Sequence, residues 1–176
     1  MSASDNISRT TEMTPAVIEN KDVLEFVIFC IENSALSLGL SGRRVFELMS
    51  ETDILDGYII PCYSSLHTLS KEYLVRDLTE LMQERGVFTT GDRKVTMKAN
   101  QILLQMKYAR IVADFAGRVG LNLREALEFF YGTLTYEDMS TGLADFHCMS
   151  DGYLCDELCI EYGRPELVES GPSVRR

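Results

Sequence analysis

The stretch GLNLREALEFF, residues 120–130, has a counterpart earlier in the chain, GLSGRRVFELM, residues 39–49. Glycine, leucine, arginine and glutamate coincide when the two stretches are aligned, and Asn122 stands where the first stretch has Ser41. Both residue types favour the N-cap position, because their side-chain oxygens accept a hydrogen bond from the first turn of a helix. Asn122 and Glu125 also have the spacing of a capping box. Each stretch therefore predicts a helix that begins just after a glycine.

A second pair of similar stretches follows the first pair. These are HTLSKEYLVRDL, residues 67–78, and HCMSDGYLCDEL, residues 147–158. Each contains a histidine, a serine three residues later and a tyrosine three residues after the serine. Because both pairs recur in the same order and at nearly the same spacing, we interpret the chain as an internal duplication of one helical unit. The members of the shared motif are the candidate site residues, structural or partner-binding: His67, Ser70, Tyr73, His147, Ser150 and Tyr153.

A long apolar segment precedes each copy of these stretches. The spacing of apolar residues predicts helices over 22–38 and 101–119. In the first helix, Glu25 and Glu32 lie seven residues apart, so we expect them on one stripe of an otherwise buried helix. The predicted fold class is all-α. It consists of two tandem repeats of a short four-helix-type unit, packed through the two long helices with approximate two-fold symmetry.

A glycine follows each of the long helices. Gly39 and Gly120 suit the left-handed conformation that is common just after a helix, because glycine has no Cβ to clash there. We expect the two repeats to superpose with Gly39 over Gly120 and His67 over His147.

The predicted organisation has five parts. The repeats occupy 21–84 and 101–163. A basic linker over 85–100 joins them. Its β-branched and aromatic residues flank a Gly-Asp pair, which predicts an extended or hairpin conformation. A flexible leader, 1–20, and a flexible tail, 164–176, complete the chain.

Charge is unevenly distributed along the chain. The formal net charge is −10, whereas residues 85–110 carry six basic side chains and one acidic. A protein this acidic repels phosphate backbones, which argues against nucleic acid as its main partner. The basic residues that could contact nucleic acid are Arg93, Lys94 and Lys98. Without interleaved aromatic residues they indicate a solvated linker first, and a nucleic-acid surface only as an alternative.

No membrane segment or secretory signal is predicted. The longest strongly apolar run, FVIFCI (26–31), is far shorter than the roughly 20 residues that span a bilayer. The N-terminal residues are polar and contain no apolar core of a signal peptide. The five cysteines match no disulfide framework. We therefore expect a cytoplasmic protein whose thiols are reduced.

Cysteines near the second histidine raise the question of a metal site. Cys155 and Cys159 lie one helical turn apart, and His147 and Cys148 precede them. The first copy has threonine or valine at the three matching cysteine positions. A ligand set that the fold required would not be missing from one copy. We therefore expect no metal and no cofactor, and interpret the thiols as small buried side chains.

The two histidines allow three interpretations. A histidine three residues before an N-cap serine would hold the turn between two helices, with a buried ring that packs on Tyr73 or Tyr153. Contact with a ligand is the second interpretation. General-base catalysis is the third, since imidazole titrates near neutral pH. No triad order, P-loop or dinucleotide-binding fingerprint accompanies either histidine.

Both copies resemble a known family. The resemblance lies in EALEFFYGTLTYEDMSTGLADFHCMSDGYLCDELCIEY (125–162) and, less closely, in LSGRRVFELMSETDILDGYIIPCYSSLHTLSKEYLVRDL (40–78). The family is a small bacterial helical domain without an established activity, often encoded beside proteins related to ADP-ribosyltransferase toxins. The resemblance implies an antitoxin-like or accessory role, with a protein partner of the ADP-ribosyltransferase-like class. The family usually has one copy of the domain, whereas this chain has two.

The sequence thus favours a non-enzymatic protein-interaction module. Two alternatives remain: an enzyme or small-ligand binder that uses His67 or His147, and a nucleic-acid-binding regulator that uses residues 85–110. A broad acidic or apolar face would favour the interaction module. A pocket in which histidine, tyrosine and acidic side chains converge would favour the enzyme or ligand binder, and a continuous basic strip would favour the regulator.

Overall fold

The computed structural model of the protein describes residues 15–86 and 101–169. All regular secondary structure in these ranges is helical, so the all-α prediction is confirmed. A π-helix, Leu55–Ile59, and 3₁₀ helices at Leu143–Cys148 and Pro165–Leu167 accompany the α-helices. The α-helices are α1 Lys21–Leu38, α2 Gly42–Glu51, α3 Tyr63–Leu66, α4 Lys71–Glu84, α5 Gln101–Val119, α6 Leu123–Gly132, α7 Leu134–Thr141 and α8 Asp151–Glu161.

The predicted leader, linker and tail fall largely on residues 1–14, 87–100 and 170–176, which lie outside the described residues. The end of the predicted leader is described, and Ile18 is buried there. The backbone N–H of Ala16 donates to Asp56 Oδ1 at 3.0 Å. The packed part of the chain therefore begins before the predicted boundary at residue 21.

The predicted helix starts are confirmed in atomic detail. Asn122 Oδ1 accepts from the Glu125 N–H, and Glu125 reciprocates on the Asn122 N–H, which completes the capping box. Ser41 caps α2 by accepting from the N–H of Arg44. Ser70 and Ser150 cap α4 and α8 in the same way, with oxygen–nitrogen distances of 3.3 and 3.2 Å.

The two long helices end alike. Gly39 has φ 67° and Gly120 has φ 77°, the left-handed conformation expected of them. The next residue, a leucine in both cases, returns its N–H to a carbonyl of the last helical turn, Ala35 O and Ala116 O respectively. A side chain at either glycine would strain the backbone, so these residues fix where the chain turns out of each long helix.

The core forms around α1 and α5, which pack on each other. α1 also packs on α2 and α4, and α5 also packs on α6 and α8. α2 contacts α6, so the two halves share one hydrophobic core. The predicted helices over 22–38 and 101–119 are thus present as α1 and α5 and contact each other.

One expectation for α1 was wrong. Glu25 and Glu32 do not form a single polar stripe, because Glu32 is only 2 % exposed and points into the interface between the halves. Glu25 is half-buried at the surface.

The segment that the sequence left open, residues 54–66, forms the π-helix and α3. Pro61 lies between these two elements and starts neither of them.

Within the described ranges, no single helix is long and apolar enough to cross a membrane. α1 and α2 satisfy the length and composition criteria only when taken together, and they meet at 109°.

Candidate functional site

His67 is exposed, which contradicts the prediction that its ring is buried. Its Nδ1 lies 2.7 Å from the carbonyl oxygen of Tyr63, so Nδ1 carries the proton and donates it. The imidazole stacks on the Tyr63 ring, with centroids 4.7 Å apart and planes at 20°. The predicted packing partner of His67 was Tyr73, but the ring packs on Tyr63 instead. It does pin the turn after α3, but from the solvent side.

Ser70 and Tyr73 extend the same region toward α4. Ser70 is the N-cap of α4, and its hydroxyl oxygen accepts a hydrogen bond from the Tyr73 N–H. The Tyr73 ring is exposed and lies against the guanidinium of Arg76, 5.4 Å from carbon to centroid. Ser70 therefore has a structural role, whereas Tyr73 presents its ring to solvent.

The second copy of the motif is arranged differently. His147 is half-buried beside Gly142, and its Nδ1 is buried without a hydrogen-bond partner among the described residues. Tyr153 contacts Phe146 edge-on at 6.0 Å, in place of the predicted contact with His147. Ser150 repeats the capping role of Ser70. The two histidines are therefore not equivalent in their surroundings.

An open groove of about 470 Å³ lies beside His67, and we call it the His67 groove. Its floor is one face of α1: Asp22, Glu25, Phe26 and Phe29. These positions are spaced i, i+3, i+4 and i+7, the spacing of one helical face. The floor therefore has the form of a helical ridge with carboxylates at one end and two phenyl rings beyond them.

The walls of the His67 groove come from two directions. On one side lie Tyr63 and His67, then Leu69 just before α4 and Leu74 in its first turn. The first turns of α5 form the other wall with Ile102, Gln105 and Met106. Tyr63 meets Phe26 edge-on at 5.3 Å, which ties that wall to the floor. Several wall side chains are exposed, including Leu69, Ile102 and Met106. The groove is thus mainly apolar, with an acidic end.

A buried carboxyl, which the sequence did not predict, lies between the halves. Glu32 Oε1 accepts hydrogen bonds from the hydroxyls of Tyr131 and Tyr136, each at 3.1 Å. Burial raises the pKa of Glu32 to about 7, although the two phenol hydrogen bonds act in the opposite direction. The nearby Tyr108 hydroxyl is buried and has no hydrogen-bond partner among the described residues. Nothing in the local sequence pattern distinguishes Glu32 from Glu25, because the tyrosines come from about a hundred residues away.

Two arginines, Arg43 and Arg124, also join the first and second halves of the chain. Arg124 on α6 binds both carboxylate oxygens of Asp56, with both distances 3.0 Å. Arg43 on α2 donates to the carbonyls of Tyr131 and Thr133, both at 2.6 Å. Its Nη1 also lies 3.7 Å from Glu137. Each arginine therefore reaches from its own half to the other.

The cysteines lie in different surroundings from one another. Cys155 and Cys159 are buried, as predicted, and burial raises the pKa of both thiols. Cys148 is exposed, which corrects the prediction for that thiol. All five cysteines are free, and no group of three or more metal-ligating side chains occurs in the described ranges.

Arg93, Lys94 and Lys98, the predicted basic contacts, lie outside the described residues. Two described basic residues of 85–110 bind groups at the start of α8. Arg110 Nε donates to Asp151 Oδ2 at 2.6 Å, and Lys107 donates to the Met149 carbonyl. The hydrogen bond from Arg110 lowers the pKa of Asp151.

Comparison with known protein families gives a match to the first half of the chain. A family described as "Protein of unknown function (DUF3791)" matches residues 25–85, a minority of the chain. This range runs from the first turns of α1 to the end of α4 and fits the expectation of an uncharacterised helical domain. It covers the first half, not the second half in which the sequence had indicated the closer resemblance. No curated protein and no solved structure matches the chain significantly.

Proposed function

We propose that the protein is a non-enzymatic interaction module, an antitoxin-like or accessory partner of an ADP-ribosyltransferase-like protein. The observation that carries the proposal is the His67 groove, an open apolar surface with carboxylates at one end. Exposed apolar surface that lines a groove is typical of sites where other macromolecules bind. The acidic composition suits a partner with a basic binding surface.

The surroundings of the histidines support a binding role over catalysis. In the described part of the chain, His67 Nδ1 bonds a backbone carbonyl and His147 Nδ1 bonds nothing. A nucleophile–base pair requires a serine, cysteine or carboxylate within hydrogen-bond reach of the imidazole. His67 instead lies in the turn before α4, and His147 lies in the 3₁₀ helix before α8.

We further propose that the chain consists of two tandem copies of one unit, over 21–84 and 101–163. The matching glycines, N-caps and interhalf arginines support this duplication, as does the packing of α1 on α5. The ion pairs support it most directly, because Arg43 and Glu137 are the counterparts of Arg124 and Asp56 in the alignment of the halves. An experimental structure in which the halves have unlike topologies would refute it.

The interaction proposal is tested with the ADP-ribosyltransferase-like protein encoded nearest to this chain. Titration calorimetry with both purified proteins should show saturable binding, and the transferase should lose activity as this chain is added. A transferase that shows neither binding nor inhibition would contradict the antitoxin role. Five free cysteines are consistent with a reducing cytoplasm, where we place the protein.

A second candidate function is supported by the convergence of His67, Tyr63 and Glu25 in one groove. This combination would suit a small ligand with an aromatic ring and a cationic group, since carboxylates and aromatic faces both attract cations. Native mass spectrometry of the purified protein distinguishes the two: a bound small molecule that is lost on His67→Ala would favour the ligand binder. The nucleic-acid alternative depends on residues 85–110. Of the basic side chains there, Arg93, Lys94 and Lys98 lie outside the described residues. Arg85, Lys107 and Arg110 donate to Thr52, Met149 and Asp151 of this chain.

A further inference from the structure

We propose that the His67 groove binds an amphipathic α-helix of the partner, with an apolar face bordered by lysine or arginine. This inference rests on the proposed function as an interaction module and adds the kind of segment that the module recognises. Three features carry it: the helical floor, the exposed apolar walls and the carboxylates at one end.

The floor has the shape that a helix would pack against. Asp22, Glu25, Phe26 and Phe29 form one face of α1, and the floor remains open between α4 and the first turns of α5. In helix pairs, side chains spaced three and four residues apart form ridges that fit between the ridges of a neighbour. A partner helix with anchors at i, i+3, i+4 and i+7 matches this face, as in other helix-in-groove complexes.

The walls supply apolar area that is now exposed to water. Met106 is 44 % exposed and Leu69 is 39 % exposed, although both line the groove. Tyr63 and Phe26 form an aromatic corner between floor and wall. Burial of these side chains against leucine or isoleucine of a partner helix would be favourable, because the hydrophobic effect scales with the apolar area removed from water.

The charges at the groove select a basic helix over an acidic one. Asp22 and Glu25 lie at the start of α1. Lys21 pairs with Glu25 only at 3.7 Å and at an exposed site, so a partner cation can compete with it. Arg110 is already bonded to Asp151, which raises the pKa of Arg110, and Glu25 raises it to a smaller extent. Lysine or arginine beside the apolar stripe of the partner helix can therefore form ion pairs with Asp22 and Glu25.

His67 adds a polar contact on the wall. Its Nδ1 donates to the Tyr63 carbonyl, so in the neutral ring the Nε2 atom is an acceptor. Nε2 has no hydrogen-bond partner among the described residues and can accept from a lysine, arginine or hydroxyl of the bound helix. The stack on Tyr63 keeps the imidazole plane fixed for this contact.

The test uses the full chain and a fluorescent peptide of about 18 residues, long enough to be helical. The peptide carries leucine at i, i+3, i+4 and i+7 with lysine on either side. Comparison peptides have the same composition in scrambled order, or glutamate in place of lysine. Fluorescence anisotropy should show binding of the amphipathic basic peptide and much weaker binding of the other two. Equal binding of all three would overturn the proposal.

Matched variants locate the site. Met106→Gln removes an apolar wall contact from the groove, whereas Leu103→Gln makes the same kind of change on the same helix at an exposed position outside the groove. We expect Met106→Gln to weaken peptide binding by about tenfold, as truncation of an interface anchor does, and Leu103→Gln to leave it unchanged. Asp22→Asn should weaken binding and reduce its dependence on salt. Equal effects of Met106→Gln and Leu103→Gln would overturn the assignment of the groove.

Other occupants give different results. A second copy of the chain in the groove would appear as a dimer in light scattering that Met106→Gln dissociates, and this outcome would overturn the proposal. The ADP-ribosyltransferase-like protein separates this inference from the proposed function. If that protein binds the wild type and Met106→Gln equally well, the groove assignment fails and the interaction module stands. If it binds neither, both fail.

Discussion

Arg124 and Asp56, 68 residues apart in the chain, form a two-point ion pair with both nitrogen–oxygen distances 3.0 Å. The side chains are 7 % and 15 % exposed, so the pair is largely shielded from water. Asp56 also accepts the backbone N–H of Ala16, which attaches the segment before α1 to the same carboxylate. One interaction therefore connects the start of the described chain, the π-helix and α6.

Arg124→Ala should destabilise the protein strongly, because it leaves the Asp56 carboxylate partly buried without its cation. Loss of one partner of a buried ion pair costs about 3 kcal/mol. Urea denaturation followed by circular dichroism measures the change. Arg44→Ala is the control, because Arg44 is exposed and its ion-pair partner in the described part of the chain is Glu47, one turn away. We expect that control to change the free energy of unfolding by less than about 1 kcal/mol. Equal effects of the two variants would contradict the importance given to the Asp56 pair.

Glu32→Gln should stabilise the protein above neutral pH. Burial raises the pKa of Glu32 from 4.5 to about 7, so the folded state holds a proton that the unfolded state releases between these values. Stability from this group is therefore full below pH 4.5, falls as the pH rises, and stays low above about 7. At 1.4 kcal/mol per pKa unit, the ionised carboxyl costs the folded state roughly 3 kcal/mol.

Chemical denaturation across this pH range provides the measurement. The wild type should lose stability between pH 4.5 and 7, and Glu32→Gln should lose less. Glu25→Gln is the matched control on the same helix, since Glu25 is only half-buried. A pH profile that is identical in wild type and Glu32→Gln would show that Glu32 does not titrate in this range.

Gly42→Ala should destabilise the protein although alanine is the better helix former. A Cβ at position 42 would overlap Glu32 Oε1 and the Tyr136 hydroxyl, which are buried and bonded to each other. Overpacking of this kind typically costs about 1–3 kcal/mol. Gly117→Ala on α5 is the control, because a Cβ there meets nothing within 4 Å. That change should stabilise the protein by up to about 1 kcal/mol. Melting temperatures that move in the same direction for both would contradict the close contact at Gly42.

His67→Ala should lower the melting temperature only slightly. The ring is exposed, and its loss removes one hydrogen bond and one stacking contact, together worth about 1 kcal/mol. For a chain of this size that corresponds to a decrease of about 2–4 °C. Binding of the amphipathic peptide should weaken more clearly. Scanning calorimetry measures the melting temperatures of His67→Ala and of the control His147→Ala. His147 lies in the other half of the chain, away from the His67 groove. A large loss of stability with His67→Ala would contradict the small contribution expected from one hydrogen bond and one stacking contact.

Local chemistry explains why the helix boundaries could be predicted. Ser41, Ser70 and Asn122 cap helices, and Gly39 and Gly120 end them, because these effects involve atoms only a few residues apart. The apolar faces of the long helices could also be predicted, because residues three and four positions apart share one side of a helix. The histidine motif was also recognised, but its surroundings were not: one ring stacks on Tyr63 in solvent, and the other is half-buried.

What the sequence alone determined is therefore the all-α class, the two long helices with their terminal glycines, and the capped starts of α2, α4 and α6. The tertiary structure decided which charged groups are buried and where the groove lies. Glu32 and Glu25 look alike in a helix pattern, yet one faces tyrosines of the other half and the other lies at the edge of the His67 groove. Burial and electrostatics depend on groups from distant parts of the chain, and their positions are set only when α1 packs between α4 and the second half.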